Sequence, residues 1–430
     1  MTIIFHLDVN SAFLSWTAAE LLKNGASLDI RTIPSIIGGD EKSRHGIVLA
    51  KSVSARQYGV RTGEPVAHAL RKCPFLHMEP PDHALYRRRS HELMQLLHTY
   101  TSDIEQVSID ECYLDYTPIR HQFASPQIAA RTIADRVREE LGFTINVGIA
   151  PNKLLAKMAS DFEKPDKVHT LFPEEIPAKM WPLPVSDLFM VGQSSANRLM
   201  QLGIRTIGEL AHTDPEVLRQ HFKSHGQQMW EYANGIHDEP VNPNAHEAKG
   251  IGNSTTLSAD VTTAPAAQKI LLALSEQVAG RLRNAHQLAQ TVTVEIKYNT
   301  FQSCSRQTQL DRPIATSRAL YDCACQLFGE LWNGTPIRLL GIRTSKLVSE
   351  NTPIQLSLFD TLDSLSDSTD SKPSVKKTVS PVSYESKSQP TLEKQRKLED
   401  AMDKIRQKYG KDAVMRGTFL AHNNSETFDN

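Results

Sequence analysis

Residues 107–116, VSIDECYLDY, set Asp110 beside Glu111 inside a run of strand formers. Val107, Ile109, Tyr113, Leu114 and Tyr116 suit a pleated, half-buried surface. Two adjacent carboxylates there repel each other and lose hydration unless something positive neutralises them. The nearest basic residue along the chain is Arg120. Two readings stay open at this point: an exposed turn between strands, or part of a metal site.

The elements around the pair narrow the choice. Residues 3–9 form a short apolar strand carrying Asp8 near its end, and residues 13–22 have helical spacing after Ser11. Residues 104–109 and 112–116 read as two strands. Residues 124–141 read as an amphipathic helix with Ile128, Ile133 and Val137 on one face, and residues 144–149 as a last strand ended by Pro151. The order β-α-β-β-α-β is ferredoxin-like, with an insert over residues 23–79. In that arrangement the first and third strands are central neighbours, so Asp8 comes beside Asp110 and Glu111. Successive strand residues point to opposite faces, so both acids reach one site only where the strand breaks into a turn. Three carboxylates at one sheet edge suit hard divalent cations, Mg²⁺ by default. Two such ions can clamp the attacking and leaving oxygens of an in-line phosphoryl displacement.

The bulk composition bounds the rest. A chain of 430 residues predicts two to four domains. With 48 Lys+Arg against 49 Asp+Glu, any nucleic-acid surface must be locally basic. Five cysteines without a CxxC pair predict a reduced intracellular protein with no structural zinc. There is no signal-peptide pattern and no apolar run near the ~18 residues of a membrane span, so a cytoplasmic protein is expected. Residues 173–240 read as helical, and 249–350 as an independent α+β domain. That domain holds eleven Lys/Arg and seven Asp/Glu, a net +4. Nine of the thirty residues 361–390 are Ser, with Pro373, Pro381 and Pro390 among them, which reads as a flexible linker. Leu398, Met402, Ile405 and Tyr409 then recur at helical spacing before Gly410.

Taken in order, four motifs make the sequence resemble the Y-family translesion DNA polymerases, specifically their bacterial DNA polymerase IV group. They are HLDVNSAF, KSVSARQYGVRTGEP, VSIDECYLD and GIAPNKLLAKMASDFEKPD, and the resemblance runs over about residues 3–350. It implies an α+β architecture: a ferredoxin-like palm (1–22 and 80–172) with inserted fingers (23–79), and a helical thumb (173–240) with a helix-hairpin-helix at about 186–212. A separate α+β little finger (249–350), a clamp-binding motif with a disordered linker (351–390) and a C-terminal helical tail (391–430) follow. By resemblance Asp8, Asp110 and Glu111 hold two Mg²⁺ ions with the Val9 carbonyl, and Arg56 and Lys164 contact the nucleotide triphosphate. Phe13 aligns with the steric gate that blocks a ribose 2′-hydroxyl. Gly192 and Gly203 belong to the DNA-binding hairpin. The apolar cluster Gln355, Leu356, Leu358 and Phe359, in a segment expected to be exposed, resembles the motif that docks on the bacterial sliding clamp.

Three positions depart from the pattern. Val53 stands where many relatives carry a tyrosine, Asn10 replaces a common second acid, and Met190 occupies the first of two usual glycines. The expected activity is template-directed, error-prone addition of dNTPs to primer-template DNA, without proofreading, by a monomer. A two-metal nuclease would use the same acids but has no need of Arg56, Lys164 or Phe13. A catalytically silent DNA- and clamp-binding subunit has no reason to keep all three acids.

Overall fold

The computed structural model describes residues 2–39, 46–244, 248–352 and 389–410, with 413, 414 and 417. The chain divides into two compact units, Met1–His246 and Glu247–Asn430.

In the first unit β1 (Ile4–Val9) is buried at every residue, as befits the middle of five strands. After α1 (Ala12–Lys23) the insert forms β2 (Ser35–Gly38), β3 (Val48–Lys51), α2 (Val53–Gln57), α3 (Val66–Lys72) and β4 (His77–Glu79). Its sheet, ordered β3-β2-β4, has a small core of its own around Ile36, Val48, Val60 and Val66. Helix α4 (His83–His98), which the sequence reading passed over, joins α1 in the main core through Tyr86, Leu93 and Leu97. Then come β5 (Ile104–Gln106), β6 (Glu111–Asp115), α5 (Pro126–Arg136), β7 (Ile145–Ala150), α6 (Lys153–Asp161) and β8 (Val168–Thr170). The sheet order is β5-β6-β1-β7-β8, with β1 antiparallel to both neighbours. Four strands thus follow the ferredoxin-like order, and β8 adds a fifth, parallel to β7.

Two elements differ from expectation by more than one residue, each for a local reason. The strand foreseen over 104–109 ends at Gln106, because Ser108 Oγ takes the amides of Asp110 and Glu111 and turns the chain. The helix foreseen over 124–141 runs from Pro126 to Arg136, then widens into a π-turn, Val137–Leu141, ended by Gly142 at φ 78°. Ser125 caps it on the Ile128 amide, and Ile128 is exposed; the buried face is Ala129, Ala130, Ile133, Ala134 and Val137.

Helices α7 (Ile176–Lys179), α8 (Gln193–Gln201), α9 (Ile207–His212), α10 (Pro215–Phe222) and α11 (Ser224–Ala233) complete the unit around Leu199, Ile207, Leu210, Leu218 and Met229.

The second unit runs β9 (Gly250–Val261), α12 (Ala264–Asn284), β10 (Gln287–Tyr298), β11 (Ser303–Ile314), α13 (Ser317–Leu331) and β12 (Ile337–Ser349). Its antiparallel sheet, ordered β11-β10-β12-β9, buries Val292, Val294 and Ile296 in one core with α12 and α13, while Glu295 faces out. A last helix, α14 (Gln389–Tyr409), ends before Gly410. It docks opposite to what its apolar spacing suggests. Leu398, Ile405 and Tyr409 are 61%, 41% and 68% exposed. Inward instead point Glu399 and Asp403, both on Arg283 of α12, and Glu399 also accepts the Ser317 amide at 3.0 Å. Among the described residues no helix is long and apolar enough to cross a membrane.

Candidate active site

The end of β1 and the start of β6 fix two of the three acids. Asp8 and Glu111 are cross-strand partners, and Val9 N donates to Asp110 O at 3.1 Å. Asp110 sits in the turn before β6, where its Oδ1 accepts from Ser108 Oγ at 2.6 Å. A serine therefore ties both amides and the Asp110 carboxylate into one bend, which frees the pair from strand alternation.

Each carboxylate of the Asp8–Glu111 rung carries a lysine. Lys157 of α6 donates to Glu111 Oε2 at 2.8 Å. Lys164 pairs with Asp8 and lies 2.8 Å from Asp161. His6, two residues before Asp8, reaches the same Glu111 oxygen at 3.1 Å. The hydrogen bond from His6 and the Lys157 ammonium outweigh partial burial and hold the Glu111 carboxyl at about 2. Burial pushes Asp8 upward while Lys164 pulls it back. Burial also opposes the charge of Lys164, but Asp8 and Asp161 together raise its pKa.

Beside Asp110 lies a cavity of about 300 Å³. Val9, Phe13, Arg56, Asp110 and Lys164 all line it, so five of the positions singled out by motif share one space. Asp8 and Glu111 do not line it; Lys164 is the link, facing the cavity and pairing with Asp8. Lys51 and Thr62 of the insert complete its basic, polar wall, and Val53 stands there without a hydroxyl. Phe13 stacks on Tyr86 with ring centroids 4.3 Å apart, which holds its ring against α4.

Among the described residues no three His, Cys, Asp or Glu side chains stand as a ready metal cage. The donor set nevertheless fits a hard cation: three carboxylates, and the buried Asn10 Oδ1, which has no hydrogen-bond partner among the described residues. Lysines pair with two of these carboxylates, Lys164 with Asp8 and Lys157 with Glu111.

Away from this cavity, Gly192 is the N-cap of α8 and Gly203 turns the chain after it at φ 86°. A Cβ at either would meet nothing within 4 Å, so space does not demand glycine at these positions, although the φ of Gly203 does. Met190 adopts φ 69°, a glycine-like backbone in a residue that is not glycine. Gln355, Leu356, Leu358 and Phe359 lie outside the described residues.

Sequence reasoning missed His6, Ser108, Lys157 and Ser160. The spacing of Lys153, Lys157 and Ser160 on one helical face was the available signal for two of them.

Residues 7–161 match the impB/mucB/samB family, and residues 248–358 match the impB/mucB/samB family C-terminal domain. DNA polymerase IV of Clostridium acetobutylicum is 50% identical over 347 residues, 81% of this chain and 87% of that protein. DNA polymerase IV of Clostridium kluyveri is 34% identical over 97% of this chain and 98% of that protein. DNA polymerase IV 1 of Bacillus subtilis is 38% identical over 81% of this chain and 83% of that protein. The fold is similar to that of a solved Y-family DNA polymerase chimera, with a TM-score of 0.69 and 22% identity over 81% of this chain and 99% of that one.

Proposed function

The chain belongs to the Y-family DNA polymerases, in their DNA polymerase IV group, and from that premise we propose that it performs translesion synthesis at the cavity beside Asp110. It is a DNA-directed DNA polymerase, and its substrates are primer-template DNA and dNTPs. The observation that carries the reading is the meeting of Phe13, Arg56, Lys164 and Asp110 around one space, which Lys164 links to Asp8 of the Asp8–Glu111 rung.

Y-family polymerases are metal-dependent. Here Asp8, Asp110, Glu111 and the Val9 carbonyl would hold two Mg²⁺ ions, which supply charge for the attacking and leaving oxygens. The protein's own groups do the rest. Arg56 and Lys164 bind the triphosphate and stabilise charge developing on the departing pyrophosphate. Lys164 must leave Asp8 to do so, so nucleotide entry and carboxylate release are coupled. The Phe13 ring, braced by Tyr86, excludes a 2′-hydroxyl.

In this reading the β5-β6-β1-β7-β8 sheet is the palm, the insert the fingers, and α7 to α11 the thumb. The Gly192 and Gly203 hairpin would offer backbone amides to a DNA phosphate. The second unit would be the little finger gripping duplex DNA, and Gln355–Phe359 the tether to the sliding clamp. Primer extension with Mg²⁺, with and without dNTPs, tests the whole: templated growth that stops in Asp110→Ala supports it, and shortening of the primer without dNTPs points to a nuclease.

A further inference from the structure

Behind Glu111 lies a buried polar chain that the polymerase chemistry does not use directly. His6 and Ser160 are both fully buried. His6 Nε2 lies 3.1 Å from Glu111 Oε2, and His6 Nδ1 lies 2.7 Å from Ser160 Oγ. We infer that Ser160 fixes the tautomer of His6, and that His6 in turn is a positioning residue that aims the Glu111 carboxylate at the metal site. The inference rests on the metal-centre reading of Asp8, Asp110 and Glu111.

The proton count leads to this assignment. A carboxylate only accepts, so the His6–Glu111 contact needs a proton on Nε2. The Lys157 ammonium already pairs with that same oxygen, so the fully buried ring faces no unpaired anion, and a ring carrying only Nε2–H has a bare Nδ1 that must accept. Ser160 has one hydroxyl proton and two acceptors within reach, Nδ1 at 2.7 Å and the Lys157 carbonyl at 2.8 Å. The carbonyl lies inside α6 and has the helix for a partner, whereas Nδ1 would be orphaned in a buried site. The proton therefore goes to His6. With Nε2–H and Lys157 both on Oε2, no hydrogen bond reaches Glu111 Oε1 among the described residues, and that oxygen is left for a cation.

Gly148 makes the arrangement possible. It is the β7 partner of His6, and a Cβ there would lie 2.0 Å from the Ala156 carbonyl and 2.5 Å from the Ser160 amide. Only a glycine lets α6 come close enough for Ser160 to reach the ring.

The test uses the full chain and four variants: Ser160→Ala, His6→Gln, His6→Leu and Glu111→Gln. Imidazole ¹⁵N shifts identify the tautomer, with the His6 signal assigned by its loss in His6→Gln. Mn²⁺ binding without nucleotide, followed by electron paramagnetic resonance, reads the metal site apart from turnover, and thermal melts verify folding. The parent should show His6 as the Nε2–H tautomer. Ser160→Ala should mix the tautomers and weaken Mn²⁺ binding by about tenfold, in the range known for outer partners of metal ligands. His6→Leu should weaken it at least as much, and His6→Gln, which keeps an N–H near the same carboxylate, should recover most of the loss. A parent spectrum of the Nδ1–H tautomer overturns the inference, whether or not any variant folds. So does parental Mn²⁺ affinity in folded Ser160→Ala and His6→Leu when Glu111→Gln loses it. If Glu111→Gln also binds Mn²⁺ like the parent, the metal-centre reading fails and takes the inference with it.

Discussion

Asp8 and Glu111 face each other on one rung of β1 and β6, and each is held by its own lysine, Lys164 and Lys157. Like charges directly opposite destabilise a sheet. The rung persists because α6 and the loop after it deliver two ammonium groups to the same edge. The site therefore comes with counter-charges that a substrate complex must rearrange.

Removing an acid from this edge should stop chemistry without releasing DNA. Asp110→Ala or Glu111→Ala is expected to lower single-turnover nucleotide addition by at least about a thousandfold, roughly 4 kcal/mol. Duplex affinity by fluorescence anisotropy should stay within about threefold, because phosphate contacts elsewhere hold the DNA. Parental rates in Glu111→Ala would sink the assignment.

Phe13→Ala should open the cavity to ribonucleotides. A ring held by Tyr86 at 4.3 Å leaves no slack for a hydroxyl, so its loss should raise the rNTP/dNTP ratio by about two orders of magnitude, ~2.7 kcal/mol. Addition of dNTPs should fall far less, since Arg56 and Lys164 remain. An unchanged ratio would make Phe13 an ordinary packing residue.

The low pKa of Glu111 has a signed consequence for stability. Its folded value of about 2 lies below the ordinary 4.5, so the ion-paired carboxylate stabilises the fold above about pH 4.5 and loses that contribution as pH falls toward 2. The stability gap between the parent and Glu111→Gln, measured by metal-free urea unfolding, should be wider at about pH 7 than at about pH 3. A gap that does not narrow would mean that the lysine and histidine contacts are absent in solution.

In the second unit, Glu399→Ala strands Arg283, which is only 7% exposed. Leaving a buried charge unpaired costs about 3 kcal/mol, less whatever Asp403 recovers. Pairing Glu399→Ala with Arg283→Met should restore part of it. If the double variant is no better than the single in differential scanning calorimetry, α14 is not held by this charge pair.

The tether is tested by Leu358→Ala with Phe359→Ala. Distributive synthesis should be untouched and stimulation by a bacterial sliding clamp should vanish, since tethering acts only through effective concentration.

The sequence made the acidic edge legible because its information is local: an acid pair at a strand break, and strands ordered by an apolar pattern of period two. What stayed hidden depended on approach across space. Ser160 and His6 are 154 positions apart and meet only because Gly148 lets α6 close on β7. Helix α14 was found by its apolar spacing, yet it docks by its acids. Periodicity reports that a face exists, and the buried Arg283 decides which face is used. The turn at 137–141 and the exposure of Ile128 are likewise absent from the apolar count, since the face buried in the core is Ala129, Ala130, Ile133, Ala134 and Val137.

The lysines on the acidic rung also separate folding from metal supply. In many small metal-binding domains, the free energy of ligating the ion is the free energy of folding, and chelation unfolds them. Here Lys157 and Lys164 already counter the charge of Glu111 and Asp8. On the proposed metal-site reading, chelation should therefore stop the chemistry and leave the fold standing.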